Sequence, residues 1–362
     1  PTGIAVNDST KAFFSKLIDE NRLASLYDFE NREKLFDIDS RFKFCLLVAG
    51  KAQDSPRSVR GGFYLTRLDH LLDPRRIYTL QTSDFVRFNP NTKQCPMFRT
   101  SYDAKLTGKI YKHTCIMVNE NTGENPWGIK FGTICHMSGD SGLFKTYKQL
   151  TSAGATYRNG FFYTSKKVYV PLYEGKHIWL YNHHYGEFPI EGKRPNSIPP
   201  TSITDLQDTN APLYPWYWVD KEEVENKLTK RDKEGKILWQ WTHSYYIVFR
   251  DVTNATNERT CVATLIPSTC FAAMISSLTF DYVARQKIGN SSMAFFVMKQ
   301  LPVLTPDQIP SAMQWQIVKR VAELCYFNHD MDNWASELWE EMNEEQRAEL
   351  PQLGAQQPWI YN

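Results

Sequence analysis

Two short apolar runs near the start of the chain predict neighbouring strands. The runs Leu23–Tyr27 and Phe42–Ala49 are bounded by charged residues or glycine, which favours buried strands over a helix. Asp8 can cap a helix that precedes them, with four apolar side chains on one face: Phe13, Phe14, Leu17 and Ile18. Pro1–Ile4 has the composition of a strand end. This order of strand end, helix, strand, loop and strand predicts the closing third of an α/β sheet.

The rest of the chain alternates strands, loops and helices. Lys51–Gly62 is polar and predicts a linker that leaves the sheet, and an Asn-Pro-Asn turn and a Cys-Pro pair argue against regular helix in residues 82–100. The pattern predicts strands within 114–118, 125–137, 168–184, 239–250 and 295–303. It predicts helices over 101–112, 271–287, 313–325 and 334–350. The fold class expected from this alternation is α/β, in the mixed α+β sense.

Charge and cysteine usage narrow the class of protein. The formal net charge is only +2, so any nucleic-acid contact must come from local clusters. The seven cysteines form no C-x-x-C pair, and several lie in apolar surroundings. They are typical of buried free thiols in a cytoplasmic protein.

The start of the chain suggests an excised piece of a larger protein. No initiator methionine, signal peptide or apolar stretch of membrane-spanning length is present. We therefore expect a cytoplasmic localisation, no membrane partner and a missing N-terminal half as a partner.

Two polar loops are candidates for contact with DNA. The loop predicted over residues 82–100 carries Arg87 and Arg99, and it is either a solvated turn or a loop that touches phosphates. The polar connection within residues 249–267 carries Arg250, Asn254, Asn257 and Arg259. Arginine and asparagine match base edges bidentately, although a well-hydrogen-bonded turn is the alternative for this segment.

Candidates for other chemistry are weaker. Cys135-His136 lacks a second pair at ligand spacing, and adjacent residues of a strand, such as His183-His184, point to opposite faces. We therefore expect no metal site. The triple Glu174-Gly175-Lys176 is half of a nuclease signature without its upstream acid. The aromatic run of residues 214–218 is either a packing anchor or a base-stacking platform.

Several segments together resemble one enzyme family. Residues 1–50, PTGIAVNDSTKAFFSKLIDENRLASLYDFENREKLFDIDSRFKFCLLVAG, resemble the end of the catalytic domain of gamma-class adenine-N6 DNA methyltransferases. The similarity is to the large methylases of type IIG restriction-modification and of phage-defence systems such as DISARM and BREX. It continues through five further segments: TSDFVRFNPNTKQCPMFR, NPWGIKF, PLYEGKHIW, FRDVTNATNERT and YVARQKIGNSSMAFFVMKQLPV.

The resemblance implies a reaction and also what this chain lacks. Family members transfer a methyl group from S-adenosylmethionine to adenine N6, using a cofactor motif on the first strands and an Asn-Pro-Pro-aromatic motif. Neither motif is present, because Asn89-Pro90 and Asn125-Pro126 are followed by Asn and Trp. We expect the parent to be the enzyme, with double-stranded DNA as its partner, and this portion to be inactive alone.

The resemblance also assigns roles to single residues. In the family, an aromatic ring before the final strand stacks on the adenine after it has rotated out of the duplex. Phe36 matches that position, with Phe29 as runner-up; a ring packed under the loop is the alternative for Phe36. Arg250, Asn254, Asn257 and Arg259 would meet DNA, while Arg285 and Lys287 would contact phosphates.

The expected organisation has four parts. Residues 1–50 end the catalytic domain, 51–165 form a connector, 166–305 form the target-recognition domain and 306–362 form a helical segment. A second hypothesis is a non-catalytic DNA-binding or protein-docking module whose partners are other defence-system subunits. Its interfaces would be the helix over 334–350 and the aromatic run over 214–218.

Overall fold

A computed structural model describes residues 3–243, 245–264, 269–289 and 291–361. These residues form a mixed α/β structure with several small sheets. The strands are β1 (Leu23–Glu30), β2 (Lys43–Ala49), β3 (Ser58–Leu65), β4 (Tyr78–Gln81), β5 (Cys115–Ile116), β6 (Thr156–Arg158), β7 (Phe161–Tyr163), β8 (Val168–Pro171), β9 (Trp218–Asp220), β10 (Thr229–Arg231), β11 (Ile237–Gln240), β12 (Val248–Phe249), β13 (Ala263–Thr264) and β14 (Pro302–Val303).

The helices are α1 (Gly3–Val6), α2 (Lys11–Asp19), α3 (Thr82–Phe88), α4 (Ser101–His113), α5 (Tyr147–Ser152), α6 (Ile203–Leu206), α7 (Lys221–Lys227), α8 (Thr269–Ile275), α9 (Leu278–Lys287), α10 (Phe295–Met298), α11 (Ser311–Cys325), α12 (Asp332–Glu341), α13 (Glu344–Glu349) and α14 (Pro351–Gly354).

The chain divides into two compact units, each assembled from separate segments. Unit 1 comprises Pro1–Ile129, Asp251–Cys261 and Met274–Pro310. Unit 2 comprises Lys130–Arg250, Val262–Ala273 and Ser311–Asn362. The predicted domain bounds at residues 50, 165 and 305 each fall within a unit.

Unit 1 is built on a four-stranded sheet in the order β2-β1-β3-β4. Strand β1 pairs antiparallel with β2 and parallel with β3, and β3 pairs antiparallel with β4. Helix α2 buries Phe14, Leu17 and Ile18, and the Phe14 ring lies 6.2 Å from that of Phe85 on α3. The predicted strands at Leu23–Tyr27 and Phe42–Ala49 and the predicted helix before them form, but β2 lies at the sheet edge and is mostly exposed, so it is not the buried strand that the pattern predicted.

Several predicted elements of unit 1 were wrong. Gly3–Val6 is a helical turn rather than a strand end, and Ser58–Leu65 is strand β3, so the sheet continues through the predicted linker. Helix α3 forms before Asn89-Pro90, since proline restricts only the residue before it and the segment after it. Residues 295–303 form α10 and only a two-residue strand, and no regular strand forms in the described segment 125–137.

Unit 2 contains a second small sheet and a helical core. The antiparallel order β6-β7-β8-β9 surrounds a cluster of Leu150, Ala155, Phe162 and Trp218. A larger cluster is contributed by helices α8, α11, α12 and α14 and includes Tyr326 and Trp334. The single helix predicted over 334–350 is instead broken at Met342 and Asn343, where the Asn343 side chain caps α13.

Candidate nucleic-acid interface

The loop that follows β1 is held by one buried side chain. Asn31 is fully buried, and its Nδ2 donates to the carbonyl oxygens of Phe36 at 3.0 Å and Ile38 at 3.1 Å. Its Oδ1 accepts the backbone N–H of Phe36 at 2.9 Å. A buried amide with both ends paired fixes the loop in one conformation. The position of Phe36 is therefore set by the fold and not by a flexible loop.

The Phe36 ring is presented at the surface. It is 54% exposed, and its edge contacts Phe44 with the ring centroids 4.8 Å apart. Phe29, the runner-up, is fully buried and stacks on Phe44 at 5.2 Å. A base could reach the ring of Phe36 but not that of Phe29, so Phe29 is excluded as a stacking ring in this conformation.

A bulge in β3 turns Tyr64 into an unusual backbone conformation. The parallel register between β1 and β3 shifts between Tyr27 and Phe29, and Tyr64 has a φ of +59°. A bulky residue at positive φ is strained, and such strain concentrates at functional sites. The guanidinium of Arg99 lies 4.2 Å from the centre of the Tyr64 ring, and the ammonium of Lys43 lies 5.4 Å from it.

Beside Tyr64 lies a cleft of about 520 Å³. It is lined by Glu30, Arg32, Tyr64, Thr66, Asp73, Arg75, Arg76, Arg99 and Thr100. Glu30 ends β1 and Thr66 follows β3, so the cleft lies at the carboxyl ends of two parallel strands, where α/β sheets commonly bind ligands. Four guanidinium groups against two carboxylates leave a net charge of +2 in this cleft.

The acidic groups of the cleft are already paired. Glu30 is buried and contacts Arg32 at 2.6 Å and Lys43 at 2.9 Å. Asp73 accepts hydrogen bonds from Arg75, which lower the pKa of its carboxyl to about 2. Arg32 and Arg75 keep 72% and 86% of their side chains exposed. Exposed guanidinium groups in such a cleft suit phosphate oxygens.

The segment 249–261 is largely committed to internal contacts. Strands β12 and β13 pair on either side of it, as the sequence predicted for a connection between two strands. Arg250 belongs to unit 2, where it donates to the Ile178 carbonyl and lies over the rings of Trp179 and Tyr185 at 5.0 and 5.5 Å. Burial lowers the pKa of Arg250, and its guanidinium is engaged in these contacts within unit 2.

Arg259 and Arg285 converge on one buried carboxylate in unit 1. Asp281 is 3% exposed; its Oδ2 accepts from Arg285 Nε at 2.9 Å, and its Oδ1 lies 3.6 Å from Arg259 Nε. The same carboxylate accepts the backbone N–H groups of Thr260 and Cys261, both at 2.7 Å. Both arginines therefore hold the loop against α9, which is the hydrogen-bonded-turn alternative left open by the sequence.

Asn254 and Asn257 lie at the exposed part of the same loop. The side chain of Asn254 accepts from Thr256 N–H at 3.0 Å, and Asn257 Nδ2 contacts Thr253 Oγ1 at 3.4 Å. Both amides retain solvent access. Of the four residues predicted to meet DNA in this segment, these two are placed where they could do so.

Lys287 is placed where it cannot meet a phosphate. It is 7% exposed, and its Nζ donates to the carbonyl oxygens of Phe88 and Gln300 at 2.6 Å and to Asn89 Oδ1 at 2.7 Å. All three donors are used inside unit 1, and burial lowers the pKa of Lys287. The predicted phosphate contact of Lys287 is incompatible with this structure, because the helix end that carries it is covered.

The two arginines predicted in residues 82–100 differ in setting. Arg87 lies on α3 rather than on a loop and donates to Asp84 at 3.1 Å, with 43% of its side chain exposed. Arg99 lies in the irregular segment before α4 and lines the cleft. Arg99 is thus the predicted residue that the structure brings together with other exposed cations.

Sequence reasoning missed Tyr64, Arg32, Arg75 and Arg76. The missed signal was the parallel pairing of β3 with β1, which brings Thr66 and the arginines that follow it to the end of β1. Reading Lys51–Gly62 as a linker concealed that pairing.

The two segments expected to form docking surfaces place several of their apolar side chains in the interior of unit 2. Trp334 and Leu338 of α12 lie in the core of unit 2. Trp218 is 1% exposed, and its indole N–H donates to the Gly160 carbonyl at 2.8 Å. The aromatic run is therefore a packing anchor at Trp218, whereas Trp216 and Tyr217 are only half-buried.

Among the described residues, no helix combines the length and apolarity needed to cross a bilayer. Comparisons with known proteins add no relative: no family model, curated protein or solved structure matches the chain.

Proposed function

We propose that this chain is the DNA-recognition portion of a site-specific adenine-N6 DNA methyltransferase, with Phe36 as the ring that stacks on the extruded adenine. The observation that carries the proposal is the exposed Phe36 ring on a loop fixed by Asn31. A base removed from its stack needs an aromatic partner already in position, and a preorganised ring loses little entropy when the base arrives.

The guanidinium cleft supports the same proposal. In the proposed function, Arg32, Arg75 and Arg99 hold backbone phosphates at the end of the sheet that also carries the Phe36 loop. Phosphate contacts fix position and register, whereas the exposed amides of Asn254 and Asn257 are suited to reading base edges. Arg259 and Arg285 keep the loop of these amides in shape.

The described cleft does not fit S-adenosylmethionine. The reactive sulfonium of that cofactor is a cation, and the cleft is lined by four guanidinium groups with both carboxylates already paired. The lining of this cleft therefore supports DNA recognition rather than methyl transfer by the chain alone.

The test measures binding of the full chain to short duplexes by fluorescence anisotropy at several salt concentrations. One duplex carries a paired adenine, and a second places the same adenine opposite an abasic site. The wild-type chain is expected to prefer the second duplex, because the cost of unpairing the base has been removed. Phe36→Ala is expected to lose that preference and to bind the second duplex about 5- to 150-fold more weakly, since base–aromatic stacking contributes ~1–3 kcal/mol.

Phe13→Ala is the matched control, because Phe13 is 52% exposed against 54% for Phe36 but lies on α2. It should bind both duplexes as the wild type does. A Phe36→Ala chain that keeps the preference would contradict the stacking role. A wild-type chain that binds neither duplex at low salt would contradict DNA recognition altogether.

A further inference from the structure

Two adjacent histidines of unit 2 lie in an irregular segment rather than on a strand. His183 and His184 follow a short turn closed by hydrogen bonds between Trp179 and Asn182 at 2.7 and 3.2 Å. Asn182 Oδ1 accepts the backbone N–H of His184 at 2.8 Å. The expectation that the two rings point to opposite faces was wrong, because it assumed the alternation of an extended strand.

Both imidazoles face the same carboxylate. His183 Nε2 lies 2.9 Å from Asp330 Oδ1, and His184 Nε2 lies 2.8 Å from Asp330 Oδ2. One donor atom from each of the three residues lies within 4.8 Å of the others. Within the described part of the chain, this is the one group of three or more histidine, cysteine or acidic side chains that converges in this way.

All three side chains are held in place by packing or by hydrogen bonds of their backbone. The histidine side chains are 1% and 3% exposed, and the Phe327 ring lies 4.7 Å from that of His183. Asp330 lies in a 3-10 turn, where its backbone N–H donates to Asn328 Oδ1 at 3.0 Å. Donor atoms held this firmly are preorganised for a ligand.

One side of the group remains open to solvent. The Asp330 side chain is 34% exposed, in contrast to the two enclosed imidazoles. The open side thus faces the carboxylate, with the two imidazole nitrogens behind it.

We propose that His183, His184 and Asp330 form a binding site for a divalent first-row transition metal, with both Nε2 atoms and one carboxylate oxygen as ligands. Two imidazoles and a carboxylate are an established donor set for zinc and its neighbours. Metal–ligand bonds of ~2.0–2.2 Å place tetrahedral donors ~3.3 Å apart, which lies between the present 2.8 and 2.9 Å contacts and the 4.8 Å limit within which the three donor atoms converge.

Three protein ligands and an open side leave a coordination position for water or an exchangeable ligand. The proposal is independent of DNA recognition, since all three residues belong to unit 2 and none is among the residues proposed to meet DNA. The competing explanation is a purely structural cluster in which the imidazoles hydrogen-bond to Asp330.

The test titrates the chelator-treated full chain with Zn²⁺ by calorimetry and with Co²⁺ by visible absorption. We expect one equivalent of either metal to bind, with ligand-field bands for Co²⁺ and a rise in the unfolding temperature that follows metal concentration. His184→Ala and Asp330→Asn should each weaken binding by at least tenfold. His243→Ala is the matched control, because His243 contacts the carboxylate of Glu337 at 3.0 Å without a second histidine.

X-ray absorption of the zinc-loaded wild type provides a readout that does not depend on the folding of any variant. Two imidazole ligands on the zinc are expected. A wild-type chain that binds no metal, a zinc spectrum without two imidazoles, or a folded His184→Ala chain that binds as tightly as the wild type would each overturn the proposal.

Discussion

Single buried polar residues organise the loops of unit 1. Asn31 holds the Phe36 loop, Lys287 joins three oxygens from two segments of the chain, and Asp281 joins two arginines to two backbone N–H groups. Each of these side chains satisfies groups that would otherwise be buried without partners, which is costly. A polar residue of this chain can therefore either contact a ligand or satisfy the hydrogen bonds of buried groups.

Asp281→Asn tests whether the buried Asp281 carboxylate stabilises the fold by pairing with neighbouring groups. The change leaves Arg259 and Arg285 in low-solvent positions without their carboxylate, and breaking a buried ion pair in this way costs ~3–5 kcal/mol. We expect the free energy of unfolding, measured by urea denaturation, to fall by about 3 kcal/mol. Glu258→Gln removes an exposed carboxylate from the same loop and should change it by less than about 0.5 kcal/mol. Equal stabilities for the two variants would show that Asp281 does not organise the loop.

The loop that bears Phe36 followed from a short apolar–polar–apolar pattern, whereas the stacking role of its ring rests on the family resemblance and stays a proposal. Arg259 and Lys287 were misjudged because their partners, Asp281 and the carbonyl oxygens of Phe88 and Gln300, are fixed by tertiary packing. The sequence does not show whether the charge of a basic residue is already paired.

Elements were predictable where the hydrophobic period was strong and long. Helices α2, α4 and α11 and strands β1 and β2 lie close to their predicted positions. Strand β3 was missed because its sequence, SVRGGFYL, contains the Gly61-Gly62 pair that ordinarily weakens a strand. The structure gives the reason for one glycine: a Cβ on Gly61 would lie 3.0 Å from the ring of Tyr78 on the neighbouring strand β4.

Gly61→Ala tests this close approach of two strands. Tyr78 is 6% exposed and cannot retreat into solvent, so the added methyl must displace the ring or the strand. Overpacking of this kind costs ~1–3 kcal/mol, which thermal unfolding should detect. Gly108→Ala is the control, because Gly108 lies within α4 and a Cβ there meets nothing within 4 Å. That change should stabilise the protein by ~0.5–1 kcal/mol, and loss of stability of equal size in both variants would refute the argument.

On the scale of the whole molecule, two units with separate cores share one chain. The buried aromatic rings of unit 1 include Phe14, Phe88 and Phe98, whereas a core cluster of unit 2 includes Tyr326 and Trp334. The chain passes between the units five times, at residues 129, 250, 261, 273 and 310. Such an arrangement cannot be read from a sequence by looking for linkers, because every crossing lies in a short segment of ordinary composition.

Trp334→Ala tests whether unit 2 unfolds as one cooperative unit. Trp334 is 2% exposed, and its truncation should cost ~3–5 kcal/mol through the cavity that it leaves. Amide hydrogen exchange should therefore accelerate in α11 and α12 more than in β1 and β3. Trp127→Ala serves as a control outside that core, because Trp127 belongs to unit 1. Uniform acceleration along the described chain in the Trp334 variant would contradict the division into units.

The repeated crossing also constrains how the protein is made. Synthesis proceeds from the N-terminus at ~5–20 residues per second, so the sheet of β1 to β4 emerges roughly ten seconds or more before α9, whose Asp281 and Lys287 complete its unit. When α9 emerges, residues 1–129 and 251–261 of unit 1 and residues 130–250 and 262–273 of unit 2 have been synthesised, but neither unit is complete. Chaperone binding to the nascent chain, and slow codons placed after residue 310 rather than after residue 129, would suit this order of assembly.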